Sequence, residues 1–242
     1  MNLVIDIGNT RTKAGVFSGD EPVKQVSFPG FAPTELIALS KEYSISRCLV
    51  STVVDDQAIN LFKGDFPVVH LDRDTPLPFS NKYKTPATLG NDRKANIAGA
   101  AKLFPGKDVL VIDAGTCLKT DFINSKSEYS GGSISPGLEM RYKSLSHFTS
   151  KLPLIQHRSF SHYTGSSTEE SIIAGVTVGM ISEAEGFIEK YQRDYGDIQL
   201  IITGGDSSLF DNTLKNSIFV APNLALTGLN VILIYNVEKN KK

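Results

Sequence analysis

The chain has 242 residues, of which 40% are hydrophobic and 21% are charged, and its formal net charge is −1. These values are typical of globular proteins and allow one large domain or two of ~100–150 residues. The balanced charge gives no electrostatic footprint for DNA, RNA or an anionic membrane surface. The sequence opens without a signal-peptide layout, and apolar runs stay shorter than the ~18–20 residues of a membrane span, so we expect a cytoplasmic protein.

The two cysteines are expected to be reduced structural thiols. Cys48 and Cys117 both lie in apolar, strand-like runs. Neither has the CxxC or ligand spacing that indicates a disulfide framework or a zinc site.

A strand and a polar turn open the chain. Residues 3–5 form an apolar run that predicts a buried strand, which brings Asp6 to the edge of a core. Gly8 lets the chain turn back with exposed backbone amides, and polar side chains within residues 9–13 offer donors suited to phosphate oxygens. Residues 14–17 predict a second strand, so the hairpin tip is a candidate phosphate site. The alternative is an ordinary hairpin with a surface carboxylate.

The same layout recurs in the second half. An apolar strand leads to Asp113, which is followed by Gly115, Thr116 and another strand. Asp6 and Asp113 are 107 residues apart, because 113 − 6 = 107, and this is close to half of the 242-residue chain. The spacing indicates a duplication.

The duplication predicts two lobes, residues 1–107 and residues 108–242. Two strand–Asp–Gly–Thr tips that face each other across a cleft can hold one nucleoside triphosphate, with two carboxylates placed to hold cations. This arrangement is expected of the acetate-kinase/sugar-kinase/Hsp70/actin type of fold.

The rest of the first half predicts a strand meander followed by crossover units. The predicted elements are strands at 23–28, 48–54 and 68–71 and helices at 33–43 and 55–62. Residues 72–88 contain three prolines and predict a loop without regular structure. A loop of this length is usually functional or mobile.

A helix is predicted from Asn91, its expected N-cap, to residue 104. Asp92 and Arg93 then occupy the first turn, and Gly90 permits close approach of a ligand. The helix dipole and Arg93 both favour the ionised form of Asp92. An adjacent acid and base in such a turn suit a hydroxyl nucleophile and a charged substrate group, whereas the alternative is a capping aspartate.

The second half predicts three strands and then helices. Ser135 is expected to cap a helix that ends at residue 147, and Thr168 is expected to open a capping box and a helix that ends at residue 191. Gly175 and Gly179 lie four residues apart on that helix and predict a tight contact, either within the protomer or at a dimer interface. The other predicted elements are strands at 109–113, 118–124, 129–134, 199–203 and 218–221 and a helix at 223–235.

The strand at 199–203 leads into Gly204, Gly205 and Asp206. Two consecutive glycines allow an adenosine to lie against bare backbone. A plain strand-to-helix turn is the alternative.

Together these residues resemble one family, the type III pantothenate kinases of the acetate-kinase/sugar-kinase/Hsp70/actin superfamily. The resemblance extends over almost the whole chain and depends on the order of the motifs. They are Asp6-x-Gly-Asn-Thr-x-x-Lys13, Gly90-x-Asp-Arg93, Asp113-x-Gly-Thr116 with Asp121, Gly131-Gly132 with Pro136-Gly137 and Arg141, Thr203-Gly-Gly-Asp206, and Asn223-Leu-x-Leu-x-Gly-Leu229.

The resemblance implies an α/β protein with a duplicated ribonuclease-H-like (actin-like ATPase) fold, in which each lobe has a five-stranded mixed sheet flanked by helices. It implies ATP-dependent phosphorylation of pantothenate to 4′-phosphopantothenate, the first step of coenzyme A biosynthesis, with Asp92 as the catalytic base. The implied ATP-binding residues are Asp6, Ile7, Gly8, Asn9, Thr10, Arg11, Thr12, Lys13, Thr116, Gly204, Gly205 and Asp206. The implied pantothenate-binding residues are Tyr83, Gly90, Asn91, Asp92, Arg93 and Thr168.

The resemblance also implies Mg²⁺ with ATP, a monovalent cation (K⁺ or NH₄⁺) at Asp113, and a homodimer in which Thr168 acts across the interface. Two alternatives stay open at this point. One is a sugar or acetate kinase of the same superfamily, and the other is a non-catalytic, nucleotide-binding regulator of the same fold. The Walker, GxGxxG and GxSxG motifs of other common architectures do not occur in the sequence.

Overall fold

The structure is a computed structural model that describes residues 1–52, 65–158, 162–210 and 218–239. The chain divides into two compact units. The first unit comprises Met1–Gly106, Ile123–Ser130 and Asn223–Lys242, and the second comprises Lys107–Phe122 and Gly131–Pro222. The predicted lobes, 1–107 and 108–242, follow the sequence duplication rather than these contacts and stay a prediction.

The first unit is built on a five-stranded mixed sheet in the order β3-β2-β1-β4-β5. β1 and β2 pair antiparallel, as do β2 and β3, whereas β4 runs parallel to both β1 and β5. The apolar residues of the central strands are fully buried because both faces of the sheet are covered. The strands are β1 (Asn2–Ile7), β2 (Arg11–Ser18), β3 (Glu21–Pro29), β4 (Arg47–Thr52) and β5 (Val68–His70).

The second sheet has the order β11-β10-β7-β8-β9-β6, which is one strand more than the five expected. β10 is parallel to β7 and to β11. The additional strand, β6, pairs with the first residues of β9, and this pairing lies within the first unit. The strands are β6 (Ser80–Asn81), β7 (Val109–Ala114), β8 (Cys117–Ile123), β9 (Glu128–Pro136), β10 (Gln199–Thr203) and β11 (Phe219–Val220).

Five α-helices lie within the described ranges. They are α1 (Pro33–Glu42), α2 (Asn91–Leu103), α3 (Leu138–Phe148), α4 (Thr168–Tyr195) and α5 (Leu224–Lys239). In the first unit, Leu36 and Leu39 of α1 join the buried cluster of the sheet. In the second unit, α3 and α4 contribute Tyr142, Ile173 and Met180 to the core around β7 and β10. Two mixed sheets flanked by helices confirm the predicted fold class.

Helices α2 and α5 approach each other so closely that glycine is required at their contact. A Cβ at Gly228 of α5 would lie 1.7 Å from the carbonyl oxygen of Ala95, and a Cβ at Gly99 of α2 would lie 2.8 Å from that of Leu224. Residues 93–100 of α2 are all buried, so this helix is enclosed on every side. The contact fixes α2 relative to the C-terminal helix of the same unit.

Three predicted helix starts differ from the structure by one or two residues. The N-cap of α2 is Gly90 rather than Asn91, and the N-cap of α3 is Gly137 rather than Ser135, because β9 continues to Pro136. The N-cap of α4 is Ser167 rather than Thr168, since the Ser167 hydroxyl accepts a hydrogen bond from the backbone N–H of Glu170.

The loop predicted at 72–88 contains regular structure. β6 forms there because the Ser80 N–H donates to the Ser127 carbonyl and the Lys82 N–H donates to that of Tyr129. A 3-10 turn at Pro86–Thr88 then leads to α2. The helix predicted at 55–62 lies outside the described residues.

Within the described residues, α4 is the one helix long and apolar enough to cross a membrane by length and composition alone. The core helix of a soluble protein passes the same test, and α4 buries Ile173, Met180, Ala184 and Ile188 in the second unit. Cys48 and Cys117 are both free thiols, as predicted.

The α2–α5 contact predicts a large stability difference between two glycine substitutions. Gly228→Ala forces the Ala95 carbonyl to move and should lower the free energy of unfolding by about 1–3 kcal/mol or more. Gly186→Ala in α4, where a Cβ would meet no described atom within 4 Å, should raise it by roughly 0.5–1 kcal/mol. Urea denaturation of both variants measures the difference, and equal midpoints would contradict the close contact.

Candidate active site

The β1–β2 tip carries Asp6 at a half-buried position. The Ser51 hydroxyl of the neighbouring β4 donates to Asp6 Oδ1 at 3.1 Å, which orients the carboxylate. The turn closes through a hydrogen bond of 3.0 Å from the Gly8 N–H to the Arg11 carbonyl. Side chains of residues 9–11 are exposed and those of Ile7 and Lys13 are more protected, so the polar tip itself faces solvent.

Thr12 has a structural position within this tip. It is fully buried, and its hydroxyl donates to the Gly30 carbonyl at 2.7 Å. The Thr12 side chain therefore supports the turn from beneath, whereas the side chains of Asn9 and Thr10 are exposed.

The N-terminal turn of α2 places an acid beside a base. The Asp92 carboxylate accepts a hydrogen bond from the Arg93 backbone N–H at 2.8 Å. A Cβ at Gly90 would lie only 2.5 Å from Asp92 Oδ1, so the missing side chain of Gly90 makes room for this carboxylate. Asp92 is half-buried and Arg93 is buried.

Tyr83 connects this turn to the preceding loop. The guanidinium carbon of Arg93 lies 5.5 Å from the centre of the Tyr83 ring, within the range of a cation–π interaction. The Tyr83 ring is itself held in place, because it stacks on the fully buried Tyr129 ring at a centroid distance of 6.1 Å. The structure thus brings Tyr83 together with Arg93 on the first turn of α2, and the substrate-binding role of these residues stays a prediction.

Lys94 is a buried cation that the sequence analysis did not identify. Its ammonium group donates to the Asp72 carbonyl at 2.9 Å and to Asn91 Oδ1 at 3.0 Å. The Asn91 amide in turn donates to the Leu71 carbonyl at 2.7 Å. Burial lowers the pKa of Lys94, although the carboxylates of Asp72 and Asp74 oppose this effect. Lys94 and Asn91 together tie the first turn of α2 to the start of the loop.

The second unit holds its own acidic tip at the β7–β8 turn. The Gly115 N–H donates to the Cys117 carbonyl at 3.1 Å, and Thr116 is exposed at the turn. Asp113 Oδ2 lies 2.8 Å from the ammonium nitrogen of Lys119, and the two side chains are equally protected, at 14% exposure. Lys119 could have been noticed as a charged residue inside a strand whose neighbours are apolar or small.

A monovalent cation does not fit Asp113 in this arrangement. Asp113 Oδ2 already contacts the Lys119 ammonium group, so K⁺ or NH₄⁺ bound to this carboxylate would lie close to another positive charge. A second positive charge at contact distance is repelled, most strongly where protein surrounds the pair. Within the described ranges, no group of three or more His, Cys, Asp or Glu side chains is arranged to hold a metal ion.

The glycine turn after β10 packs directly on the β7 tip. Gly204 has φ +98°, and a Cβ there would lie 2.1 Å from the Ala114 carbonyl oxygen and 2.7 Å from Asp113 Oδ1. The Asp206 N–H donates to the same Ala114 carbonyl at 2.9 Å. Burial raises the pKa of Asp206, the Glu139 carboxylate acts in the same direction, and His157 opposes it. The structure therefore joins Asp113 with residues 204–206.

Thr168 lies elsewhere in the second unit, at the start of α4. It lines a cavity of about 670 Å³ with Arg141, Leu145, Ile172 and Gly175. A Cβ at Gly175 would meet no described atom within 4 Å, so this glycine makes no tight contact within the described part of the protomer. Within the described residues, the alternative of a tight helix contact inside the protomer is therefore wrong for Gly175, and the same holds for Gly179.

Comparison with known structures shows the fold. A conserved protein of the Baf family of transcriptional activators from Campylobacter jejuni matches with a TM-score of 0.61 and 21% identity, covering 98% of this chain and 99% of that one. The activator of 2-hydroxyisocaproyl-CoA dehydratase from Clostridium difficile, solved with bound ADPNP, matches with a TM-score of 0.54 and 12% identity, covering 99% and 95%. These neighbours have the fold of the actin-like ATPases and sugar kinases, as the duplication predicted.

Comparison with sequences shows the family. A model of the type III pantothenate kinase family matches residues 2–190. The type III pantothenate kinase of Cytophaga hutchinsonii is 44% identical over 250 residues, which span 98% of this chain and all of that protein. The type III pantothenate kinase of Bacteroides fragilis is 44% identical over 239 residues, which span 98% of both chains. The chain therefore belongs to the type III pantothenate kinase family.

Proposed function

We propose that this chain transfers the γ-phosphoryl group of ATP to the primary hydroxyl of pantothenate, with Asp92 as the base that orients this hydroxyl. The product is 4′-phosphopantothenate, and the reaction is the first step of coenzyme A biosynthesis. Family membership makes the chain a pantothenate kinase. The observation that carries the role of Asp92 is its position on the first turn of α2, over Gly90 and beside Arg93.

Pantothenate is held by residues around that turn. Its carboxylate matches the positive charge of Arg93, which the Tyr83 ring keeps in place. The bare backbone of Gly90 lets the substrate approach Asp92, and Asn91 keeps the turn tied to Leu71. A hydroxyl positioned against an ionised carboxylate at a helix N-terminus is ready for attack.

Each unit has a polar tip with groups suited to binding part of ATP. Residues 6–13 bind phosphate oxygens through the exposed Asn9 and Thr10 and through backbone N–H groups, with Thr12 supporting the turn. In the second unit, the exposed Thr116 offers a hydroxyl suited to a phosphate oxygen. Gly204 and Gly205 present bare backbone to the nucleoside, and Asp206 accepts hydrogen bonds from its hydroxyls.

The divalent metal ion enters with ATP. Mg²⁺ usually keeps several waters and binds one or two carboxylates together with substrate phosphates, rather than a cage of protein ligands. Asp6 suits this role because its carboxylate is oriented by Ser51 at the edge of the sheet. When bound, Mg²⁺ neutralises phosphate charge.

The chemistry needs positioning more than proton abstraction. Phosphoryl transfer passes through a loose transition state, so that catalysis depends on alignment and on neutralising charge. Asp92 aligns the hydroxyl and accepts its proton as the bond to phosphorus forms. The family resemblance implies a monovalent cation at Asp113, but Lys119 already carries a positive charge there, so the proposed mechanism has no step that depends on that ion.

The protein acts as a homodimer in which Thr168 completes the pantothenate pocket of the partner. Gly175 and Gly179 are exposed on α4, beside the cavity that Thr168 lines. Phe148 at the end of α3 is 80% exposed, and a second copy would cover this apolar surface. A cytoplasmic location agrees with the use of ATP and with two free cysteines.

The function is tested by a coupled ADP-release assay with pantothenate and with a panel of sugars and acetate. Among these acceptors, only pantothenate should cause ADP release from ATP. Asp92→Asn should keep pantothenate and ATP binding but lose turnover by about 10²-fold or more, because it removes a positioned base. Asp20→Asn, an isosteric change in an exposed ion pair with Lys102, is the control.

Each result decides between the alternatives. ADP release with a sugar or acetate instead would favour another kinase of the superfamily, and no release with any acceptor would favour a regulator. Near-normal turnover in Asp92→Asn would remove Asp92 from the proposed role.

The dimer is tested by placing a long charged side chain on the exposed face of α4. Gly179→Arg should give a monomer in sedimentation equilibrium, and it should raise the KM for pantothenate while the KM for ATP changes little. Ser18→Arg, which adds the same charge at an exposed position of the first unit, should remain a dimer. A wild-type monomer with normal kinetics would overturn this part of the proposal.

A further inference from the structure

Lys119 occupies an unusual position for a lysine. It lies within β8, between Leu118 and Thr120, which are each only 1% exposed. Its own side chain is 14% exposed, so most of its length is covered by protein. A lysine held in this way needs a partner for its charge, because burial without one is costly.

The partner is Asp113, the acid of the second tip. The Lys119 nitrogen lies 2.8 Å from Asp113 Oδ2, a distance typical of a charge-assisted hydrogen bond. The Asp113 side chain is as protected as that of Lys119. Solvent ions screen such a pair much less than they screen exposed charges. The attraction between the Lys119 ammonium group and Asp113 therefore persists as the salt concentration changes.

The same carboxylate also faces the turn proposed to bind the nucleoside. Asp113 Oδ1 would lie 2.7 Å from a Cβ on Gly204 and 3.7 Å from a Cβ on Gly115. Backbone hydrogen bonding joins these segments, since Asp206 N–H donates to the Ala114 carbonyl. The Lys119 charge is thus fixed within the part of the second unit where a nucleotide is expected.

We infer that the Lys119 ammonium group takes the place of a free monovalent cation at Asp113, so that this kinase works without K⁺ or NH₄⁺. An ammonium group and K⁺ each carry one positive charge and each bind a carboxylate oxygen. Here the charge is covalently attached and is present at full occupancy whatever the salt composition. The inference rests on the proposed function and concerns only what supplies this charge.

The first experiment uses the wild-type protein and needs no variant. ADP release with saturating pantothenate and Mg–ATP is measured in tetramethylammonium chloride, and KCl or NH₄Cl then replaces this salt at constant ionic strength. The expected rate is the same in all three salts. Stimulation by K⁺ or NH₄⁺ of about tenfold or more, the size expected for supplying a missing charge, would overturn the inference.

The second experiment removes the Lys119 ammonium group and supplies a cation from solution instead. Lys119→Ala should be slower by about tenfold or more in tetramethylammonium chloride, because it loses the fixed charge, and KCl or NH₄Cl should restore its rate in a saturable way. Lys119→Met removes the charge but fills the space, so the same salts should not restore it. Lys102→Ala, which breaks an exposed ion pair with Asp20 in the first unit, should behave as wild type in every salt.

These results separate the inference from the proposed function. A well-folded Lys119→Ala, with the circular dichroism and thermal midpoint of wild type, that is not restored by either cation would overturn the inference. If Lys119→Ala does not fold, the wild-type titration still decides. Failure of the proposed function looks different, because pantothenate-dependent ADP release would then be absent in every salt.

Discussion

Backbone contact between α2 and α5 is the constraint that positions Asp92, the residue proposed as the catalytic base. Gly228 and Gly99 allow the two helices to touch through their main chains, and every larger residue would separate them. Because α2 is enclosed on every side, it cannot slide along its axis without disturbing a packed interior. Its N-terminal turn, with Asp92 and Arg93, therefore has one position within the first unit.

The second unit also has a glycine where two backbone segments meet, and there it positions the turn after β10 against the acidic tip. Gly204 brings the turn after β10 against Ala114 and Asp113, and a side chain at Gly204 would separate them. This close packing leaves Asp113 between a bare backbone and the Lys119 ammonium group. Charge at this tip is thus balanced by the fold before any ligand binds.

The sequence predicted well those features that local residues determine. The β1–β2 and β7–β8 hairpins follow from short apolar runs ending in Asp and Gly, and the start of α2 was predicted to within one residue. Features set by distant partners were missed. β6 is only two residues long and exists because of its pairing with β9, and β9 itself extends to Pro136 and so displaces the predicted cap at Ser135.

Two lysines illustrate why parts of the candidate site could not be predicted. Lys94 donates a hydrogen bond to the Asp72 carbonyl, 22 residues earlier in the chain. A bond between residues so far apart has no local pattern in the sequence. Lys119 pairs with an acid across the β7–β8 turn, where the family resemblance pointed to an ion instead. The motif layout identified Asp113 as an acid placed to hold a cation, but it did not predict that the Lys119 ammonium group lies beside this acid.

The anchored loop before α2 has a consequence for the affinity of the substrate proposed to bind there. β6 pairing, the Lys94 bonds to Asp72 and Asn91, and the stacking of Tyr83 on Tyr129 hold this segment at several points along its length. A ligand that meets Tyr83 and Arg93 there finds them already in place, so its binding free energy is not reduced by the conformational entropy lost when a loop becomes ordered. For the substrate proposed to bind there, these contacts replace an ordering step that would otherwise accompany binding.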